Sequence, residues 1–410
     1  MEAVTIDDIR AASRRIADGV LVTPCTYAAA LSKLTGCELY CKLEMLQRTG
    51  SFKERGARNA LLLLDETSRH KGVIAASAGN HALALAHHGA ELGIPVTVVM
   101  PSYAPLVKQV NSRKLGARVI VSGNSFAEAR AKADELVERE GLTYVHGYDD
   151  PAVIAGQGTL GLELLEQVEN LDAVVVPVGG GGLLAGVALA IKSVKPSVQV
   201  IAVEAAAAAG YSAALAHGRV VPMHCGPTLA DGLAVSSVGR FAFQVARDRV
   251  DQVVQVSEPQ IARAVVRLME LERSVVEGAG SAGLAAVCGP LQEQLAGKRV
   301  AIVLCGGNID LLIVSRLIEV ALASDGRLAR FSAVISDRPG GLAQFATAVA
   351  TIGASIQQVE HERIFAGPDM AAVTVRCTVE TRDRNHMQDL YQHLRSFGIV
   401  VTPLDDLATI

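Results

Sequence analysis

The chain has 410 residues, of which half are hydrophobic and a fifth are charged, so it can bury a large core and form two or three domains. Lysine and arginine total 38 against 42 aspartate and glutamate residues, and the net charge of −4 excludes a basic nucleic-acid-binding surface spread over the whole chain. The seven cysteines form no C-x-x-C pair, which predicts reduced thiols and a cytoplasmic location.

One uncharged run, from Ala173 to Ile191, is long enough to span a bilayer. It contains Pro177 and four consecutive glycines, which divide it into a strand, a loop and a helix. We therefore predict a buried segment and no membrane association. The N-terminus is acidic and lacks the apolar core of a secretory signal.

Apolar, β-branched runs alternate with helical patterns over most of the chain, which predicts an α/β fold of open parallel sheets covered on both faces. Strands are expected at 38–43, 72–76, 94–100, 117–121, 143–145, 172–178, 198–204, 250–256 and 299–305. Helices are expected at 6–18, 28–35, 51–64, 81–92, 105–115, 125–140, 151–168 and 183–194. In such sheets ligands bind where strand C-termini meet helix N-termini.

The composition changes around residues 323–326, which predicts a linker. Beyond it the pattern is β-α-β-β-α-β, with elements expected at 328–336, 342–352, 355–364, 371–380, 384–397 and 399–402. This order predicts a ferredoxin-like module.

The segment Ser51-Phe52-Lys53-Glu54-Arg55-Gly56-Ala57 is expected to begin a helix. Ser51 and Glu54 have the spacing of a capping box, which predicts Ser51 as the N-cap. Lys53 lies in the first turn, where the helix dipole disfavours positive charge and lowers the pKa of an amine. An amine that can lose its proton suits Schiff-base chemistry, and the alternative is an ordinary surface lysine.

Four glycines, Gly179 to Gly182, join a predicted strand to a helix that begins near Leu183. Glycines let backbone N–H groups converge on an anion at a helix N-terminus, so the loop predicts phosphate binding. Residues 180–185 also fit G-x-G-x-x-A, and Glu204 follows at the distance expected of a dinucleotide fingerprint. The loop alone therefore leaves open a dinucleotide, another phosphate or a structural turn.

Two further turns follow predicted strands. In Ser77-Ala78-Gly79-Asn80-His81 the serine is predicted as an N-cap, and Asn80 and His81 add donors that suit a carboxylate. Cys305-Gly306-Gly307-Asn308 ends the last strand of the α/β pattern. A cysteine there is usually a small buried hydrophobe, and it can alternatively face a ring nitrogen.

Together these motifs resemble the fold-type II pyridoxal-phosphate (PLP) enzymes, and among them the threonine dehydratases (threonine ammonia-lyases), with serine dehydratase and serine racemase as neighbours. The resemblance covers about residues 5 to 322, where four motifs appear in the family's order. It implies a catalytic domain at 1–322 of the tryptophan synthase β-like kind, whose small subdomain, about 42–150, is inserted in the large one. The C-terminal part, 327–405, resembles an ACT domain, a module that binds amino acids and regulates metabolic enzymes.

The resemblance implies a role for each motif. Lys53 is expected to be catalytic and to form the Schiff base with PLP, Phe52 to pack beside the ring, Asn80 to hydrogen-bond the ring hydroxyl, and Cys305 to face the ring nitrogen. The phosphate is expected to be held by Gly179, Gly180, Gly181, Gly182 and Leu183. The substrate carboxylate is expected to bind at Ser77, Ala78, Gly79, Asn80 and His81.

The implied activity is dehydration and deamination of L-threonine, and of L-serine, to 2-oxobutyrate or pyruvate and ammonia. An amino-acid effector, isoleucine or valine, would act at the ACT domain as feedback on a branched-chain pathway such as isoleucine biosynthesis. A homo-oligomer, either dimer or tetramer, is expected because ACT modules commonly pair across subunits. The alternatives are elimination on 3-hydroxyaspartate, serine racemisation, an NAD-binding protein and an inactive amino-acid sensor.

No metal site is predicted. His87 and His88 are adjacent, so they are expected on a helix surface and not around one ion. Glu204 resembles a cation-binding glutamate of some relatives, but no aspartate or glutamate lies between it and Asp231.

Overall fold

Parallel strands dominate the first of the two units into which the chain divides, Met1–Ile309, and antiparallel strands form the second, Asp310–Ile410. The computed structural model describes residues 4–362 and 371–404.

The strands of the first unit are short and mostly buried. In chain order they are β1 (Cys25–Tyr27), β2 (Glu38–Lys42), β3 (Val73–Ala76), β4 (Val96–Met100), β5 (Arg118–Val121), β6 (Thr143–Tyr144), β7 (Ala173–Pro177), β8 (Gln199–Ala205), β9 (Gln252–Val256) and β10 (Arg299–Val303).

Helices cover both faces of these strands. They are α1 (Ile6–Ile16), α2 (Ala29–Thr35), α3 (Lys53–Leu62), α4 (Glu66–Lys71), α5 (Asn80–Leu92), α6 (Leu106–Lys114), α7 (Phe126–Glu140), α8 (Pro151–Gln167), α9 (Gly182–Val194), α10 (Gly210–His217), α11 (Arg240–Ala246), α12 (Glu258–Glu272), α13 (Gly278–Val287) and α14 (Gln292–Leu295).

The strands of the first unit form two sheets. The larger sheet has the order β1-β2-β10-β7-β8-β9. Its strands are parallel except for the edge strand β1, which pairs antiparallel with β2. The smaller sheet has the order β5-β4-β3-β6 and is wholly parallel. The strands of the smaller sheet lie between β2 and β7 in the chain, so this sheet is inserted within the larger one. The middle strand β7 is wholly buried, as its continuous β-branched run predicts for a strand covered on both faces.

The second unit confirms the predicted β-α-β-β-α-β order. It contains α15 (Leu311–Ser324), β11 (Leu328–Ser336), α16 (Gly341–Thr351), β12 (Ser355–Glu362), β13 (Ala372–Glu380), α17 (Arg384–Ser396) and β14 (Val400–Pro403). The antiparallel sheet has the order β12-β13-β11-β14. Alternate residues of β11 face the core, namely Ala329, Phe331, Ala333 and Ile335.

Two boundaries differ from the sequence expectation. Helix α15 continues to Ser324, so the start of the predicted linker is helical. The expected end of β12 at residue 364 lies outside the described residues. The apolar run at 173–191 is divided between β7 and α9 as predicted, and none of the helices in the described ranges has the length and apolarity needed to cross a membrane.

Candidate active site

Lys53 is the first residue of α3, but the predicted capping box in front of it is wrong. The N-cap position is Phe52, and no side chain caps the helix. Ser51 instead forms an isolated β-bridge with Gly306, which keeps its backbone extended. The Glu54 carboxylate accepts a hydrogen bond from the amide of Thr49 and does not reach Ser51.

The Lys53 amine lies in a low-polarity environment. Its Nζ donates a hydrogen bond to the carbonyl of Gly147 at 2.6 Å and lies 5.1 Å from the centre of the Phe52 ring. Burial lowers the pKa of Lys53 to about 8, although Cys305 and Glu277 act in the opposite direction. An unprotonated amine is therefore accessible near neutral pH, and burial is its main cause.

Asn80 lies at the centre of a polar chain at the start of α5. Its Nδ2 donates to Glu277 Oε1 at 2.9 Å, and its Oδ1 accepts from Asn308 Nδ2 at 2.9 Å. The N-cap position of α5 is Gly79, so the prediction that Ser77 caps this helix is wrong; the Ser77 hydroxyl accepts from the Gly79 amide at 3.3 Å. The two hydrogen bonds fix the orientation of the Asn80 amide.

His81 is buried with its ring turned away from solvent. Its Nε2 lies 3.0 Å from the carbonyl of Val145, and burial lowers the pKa of His81 to about 3. The ring is therefore neutral and donates its proton to Val145. In this arrangement the ring has no proton to offer a carboxylate, so the predicted role of His81 as a side-chain donor is not supported by its geometry.

The glycine loop between β7 and α9 has the features of an anion site. Gly181 has a φ of 90°, a left-handed conformation that glycine adopts without strain. Within the described part of the chain, the amides of Gly179, Gly180 and Gly181 donate to no protein acceptor. Unpaired N–H groups at a helix N-terminus are the donors that a phosphate needs.

The segment at 146–149 connects this loop to Lys53, and the sequence carried no signal that identified it. Gly147 accepts the Lys53 hydrogen bond, and the ring of the next residue, Tyr148, packs so closely on Gly180 that a Cβ there would overlap it. Asp149 accepts hydrogen bonds from the first amides of α11, those of Arg240, Phe241 and Ala242.

Cys305 lies just after β10, next to the lysine segment. Its carbonyl accepts from the Phe52 amide at 3.1 Å, and burial raises the pKa of its thiol well above the ordinary value. The thiol is therefore neutral at physiological pH.

Glu277 is a site residue that the sequence interpretation missed. It is buried at the N-cap position of α13, and burial, aided by Asp231, raises its pKa to about 7. A Cβ at Gly306 would overlap the Glu277 carboxylate, so the absence of a side chain at Gly306 makes room for Glu277. The small residues that follow Glu277 at the helix start, Gly278 to Gly280, were the available signal.

Glu204 is held by hydrogen bonds from the protein. It accepts from the Tyr211 amide at 2.6 Å, the Ser212 amide at 2.9 Å and the Ser212 hydroxyl at 2.5 Å. Both carboxylate oxygens are thus used by the start of α10.

Known proteins resemble the chain along most of its length. Residues 16–306 match the family model of pyridoxal-phosphate dependent enzymes. The chain is 43% identical over 398 residues to an L-threonine ammonia-lyase of Thermotoga maritima, which covers 97% of this chain and 99% of that protein.

Solved structures resemble the first unit. The processed form of threonine deaminase isoform 2 from Solanum lycopersicum has a TM-score of 0.74 and 36% identity, covering 77% of this chain and 87% of that chain. A serine racemase from Dictyostelium discoideum has a TM-score of 0.71 and 38% identity, covering 75% of this chain and 99% of that chain.

Two parallel-sheet layers around a half-buried lysine and a glycine loop are the architecture of fold-type II PLP enzymes. The chain belongs to the family of pyridoxal-phosphate dependent enzymes. The cofactor is therefore PLP, and the dinucleotide alternative for the glycine loop is not retained. The donors present fit this cofactor, because unpaired loop amides suit a phosphate and a lysine with a lowered pKa suits an aldehyde.

Proposed function

We propose that this chain is an L-threonine ammonia-lyase that also accepts L-serine, releasing 2-oxobutyrate or pyruvate together with ammonia. The observation that carries the proposal is the half-buried Lys53 amine, hydrogen-bonded to Gly147 and set within a family whose members include the T. maritima L-threonine ammonia-lyase. When bound, PLP supplies an electron-withdrawing ring that stabilises negative charge at the substrate α-carbon.

Lys53 has two roles in this proposal. Its amine would hold the cofactor, and in its unprotonated form it would accept the α-proton of the substrate as a general base. The lowered pKa supports both roles, because only the unprotonated amine can attack an aldehyde or accept a proton.

The remaining site residues bind and orient. The amides of Gly179 to Gly182 and Leu183 hold the phosphate, and the turn Ser77 to His81 receives the substrate carboxylate. Asn80 would hold the ring hydroxyl, Phe52 would support the ring, and Cys305 would serve as the partner of the ring nitrogen. The neutral Cys305 thiol does not hold a proton on that nitrogen as a carboxylate would, which favours elimination of a β-hydroxyl over long-lived carbanion chemistry.

Ala78 favours the lyase over a racemase. The resemblance to serine racemases implies that those enzymes have a serine hydroxyl at this position, opposite the lysine, as a second acid or base. Ala78 has a methyl group and packs against the core of the smaller sheet. It cannot exchange protons, so reprotonation from the opposite face has no donor at this position.

The second unit supports a regulatory role. We propose that residues 327–405 form an ACT domain that binds isoleucine or valine, following a catalytic domain at 1–322 whose small subdomain spans about 42–150. The antiparallel sheet and β-α-β-β-α-β order support this assignment. We also propose a homo-oligomer, and a cytoplasmic location supported by seven unpaired cysteines.

Parallel assays of 2-oxo acid release from L-threonine, L-serine and 3-hydroxyaspartate test the activity. Threonine and serine should be turned over, and Lys53→Ala should lose the visible absorption of covalently bound PLP and at least about 10⁴-fold in rate. Preferred release from 3-hydroxyaspartate, or a Lys53→Ala protein that keeps the absorption and the activity, would contradict the proposal.

The same assay with added isoleucine tests the regulatory unit. We expect the threonine rate to fall as isoleucine rises. A rate independent of isoleucine and valine would reject the effector assignment and leave the catalytic one unaffected.

A further inference from the structure

Two adjacent histidines and a glutamate come together between helices α3 and α5. Glu54 lies on α3, and His87 and His88 lie on α5, which packs against α3. One ligand atom from each of the three side chains lies within 4.8 Å of the others. The two histidine side chains therefore approach one point, although their adjacency in the sequence predicts that they diverge. Their Cβ atoms diverge around the helix, but the long imidazole rings turn together, with ring centres 4.8 Å apart.

The converging atoms are buried and their polar contacts are long. Glu54 Oε2, His87 Nε2 and His88 Nε2 are shielded from solvent. His88 Nε2 lies 3.4 Å from Glu54 Oε2, and His87 Nε2 lies 3.7 Å from Glu91 Oε1. The side chains of Glu54 and His88 are 0% exposed, so the prediction of a surface position is wrong for His88. Buried polar atoms without short hydrogen bonds are destabilising, so three of them close together form a candidate site for a ligand.

The spacing suits a small tetrahedral ion. His88 Nε2 lies 3.4 Å from Glu54 Oε2. Two ligand atoms that are each about 2.1 Å from a tetrahedral ion are separated by roughly the same distance. The His87 side chain is 19% exposed, which leaves a path from solvent for the ion and for a water as fourth ligand.

The surroundings supply an outer partner for His88. His88 Nδ1 accepts a hydrogen bond from Arg58 Nη1 at 3.2 Å, because a guanidinium can only donate, so the ring proton is on Nε2 and faces Glu54 Oε2. A metal at Nε2 would take the place of that proton. Nδ1 would then carry the proton and donate to Glu91 Oε2, 3.4 Å away, while Arg58 would keep its ion pairs with Glu91 and Asp18.

We propose that Glu54, His87 and His88 form a binding site for one divalent transition-metal ion of the zinc class. Two imidazoles and one carboxylate are ligands that such ions favour. The ion would join α3 to α5, whose first residues are Lys53 and Asn80, and it would stabilise the folded enzyme.

Zinc titration of the metal-free holoenzyme by calorimetry tests the site. We expect one equivalent bound per chain, with at least about tenfold weaker binding in His87→Ala. Zinc should raise the melting temperature of the unmodified protein and not that of the variant. His217→Ala is the matched control, because His217 is exposed on α10 and should leave zinc binding unchanged.

Failure to bind one equivalent in the unmodified protein would overturn the proposal, as would equal affinity in His87→Ala. If His87→Ala does not fold, His87→Gln retains a polar side chain and provides the comparison. Unchanged zinc affinity in His87→Gln would then overturn the site.

Discussion

Burial shifts the pKa values of Lys53 and Glu277 in opposite directions. It lowers the pKa of the lysine to about 8 and raises that of the glutamate to about 7, because each loses the hydration that favours its charged form. Both groups therefore titrate near physiological pH. Asn80 connects Glu277 to the turn that precedes α5, since it donates to this carboxylate at 2.9 Å.

We predict that Glu277→Gln stabilises the protein in a pH-dependent manner. The pKa of Glu277 is raised from 4.5 to about 7 in the folded state, so the wild-type protein loses stability as pH rises through this window. The variant has no such loss. Its advantage should be absent below pH 4.5, grow to roughly 3 kcal/mol by pH 7 and then level off.

Urea unfolding at several pH values measures this difference, with Glu138→Gln on the exposed face of α7 as the control. A difference between Glu277→Gln and wild type that does not vary with pH would show that Glu277 ionises normally.

At the scale of elements, the site is built from the starts of helices α3, α5 and α9. Each follows a strand end or a turn, and none of the three has a side-chain cap. The amides of Gly179, Gly180 and Gly181 before α9 are therefore available to ligands, whereas the amides of Phe52, Glu54 and Arg55 at the start of α3 donate to protein carbonyls. Close packing of the 146–149 segment on the glycine loop holds α9 in position relative to Lys53.

We predict that Gly182→Ala weakens PLP retention. A Cβ at Gly182 would lie 2.6 Å from the backbone oxygen of Tyr148. This overlap can be relieved only if the 146–149 segment or the glycine loop moves. We expect at least a tenfold faster loss of cofactor on dialysis, because the loop amides would no longer converge.

Gly226→Ala is the control, since its nearest neighbour would be the Ala207 side chain at 3.5 Å, an ordinary contact. Equal cofactor retention in Gly182→Ala and wild type would show that the loop tolerates this displacement.

At the scale of the first unit, a buried ion network crosses between its elements. Arg55 on α3 pairs with Glu44 at 2.7 Å and with Glu163 on α8 at 2.6 Å, and Lys42 on β2 pairs with Glu163 at 2.5 Å. Arg55 and Glu44 are almost fully buried. The network ties the helix that carries Lys53 to the larger sheet.

We predict that Arg55→Met lowers the free energy of unfolding by about 3–5 kcal/mol, because it leaves the buried Glu44 carboxylate without its partner. Chemical denaturation measures the loss. Arg118→Met removes an exposed pair with Glu140 and should cost no more than about 1 kcal/mol. A similar small loss in Arg55→Met would mean that solvent reaches Glu44.

The local sequence pattern was enough to predict much of the secondary structure. Strands such as β4 and β7 and helices such as α7 and α8 were predictable, because their apolar periodicity and caps lie within each segment. The capping box at Ser51 failed for the opposite reason. A bridge to Gly306, distant in sequence, determines the backbone there, and no local spacing reports it.

The sequence by itself determined the α/β pattern, the C-terminal β-α-β-β-α-β module and the family, since motif spacing and periodicity are properties of the chain. Only the tertiary structure decided what surrounds Lys53. The pKa values of Lys53 and Glu277, the Gly147 contact and the meeting of Glu54 with His87 and His88 depend on burial and on packing between distant segments. Those interactions form only when the elements pack together.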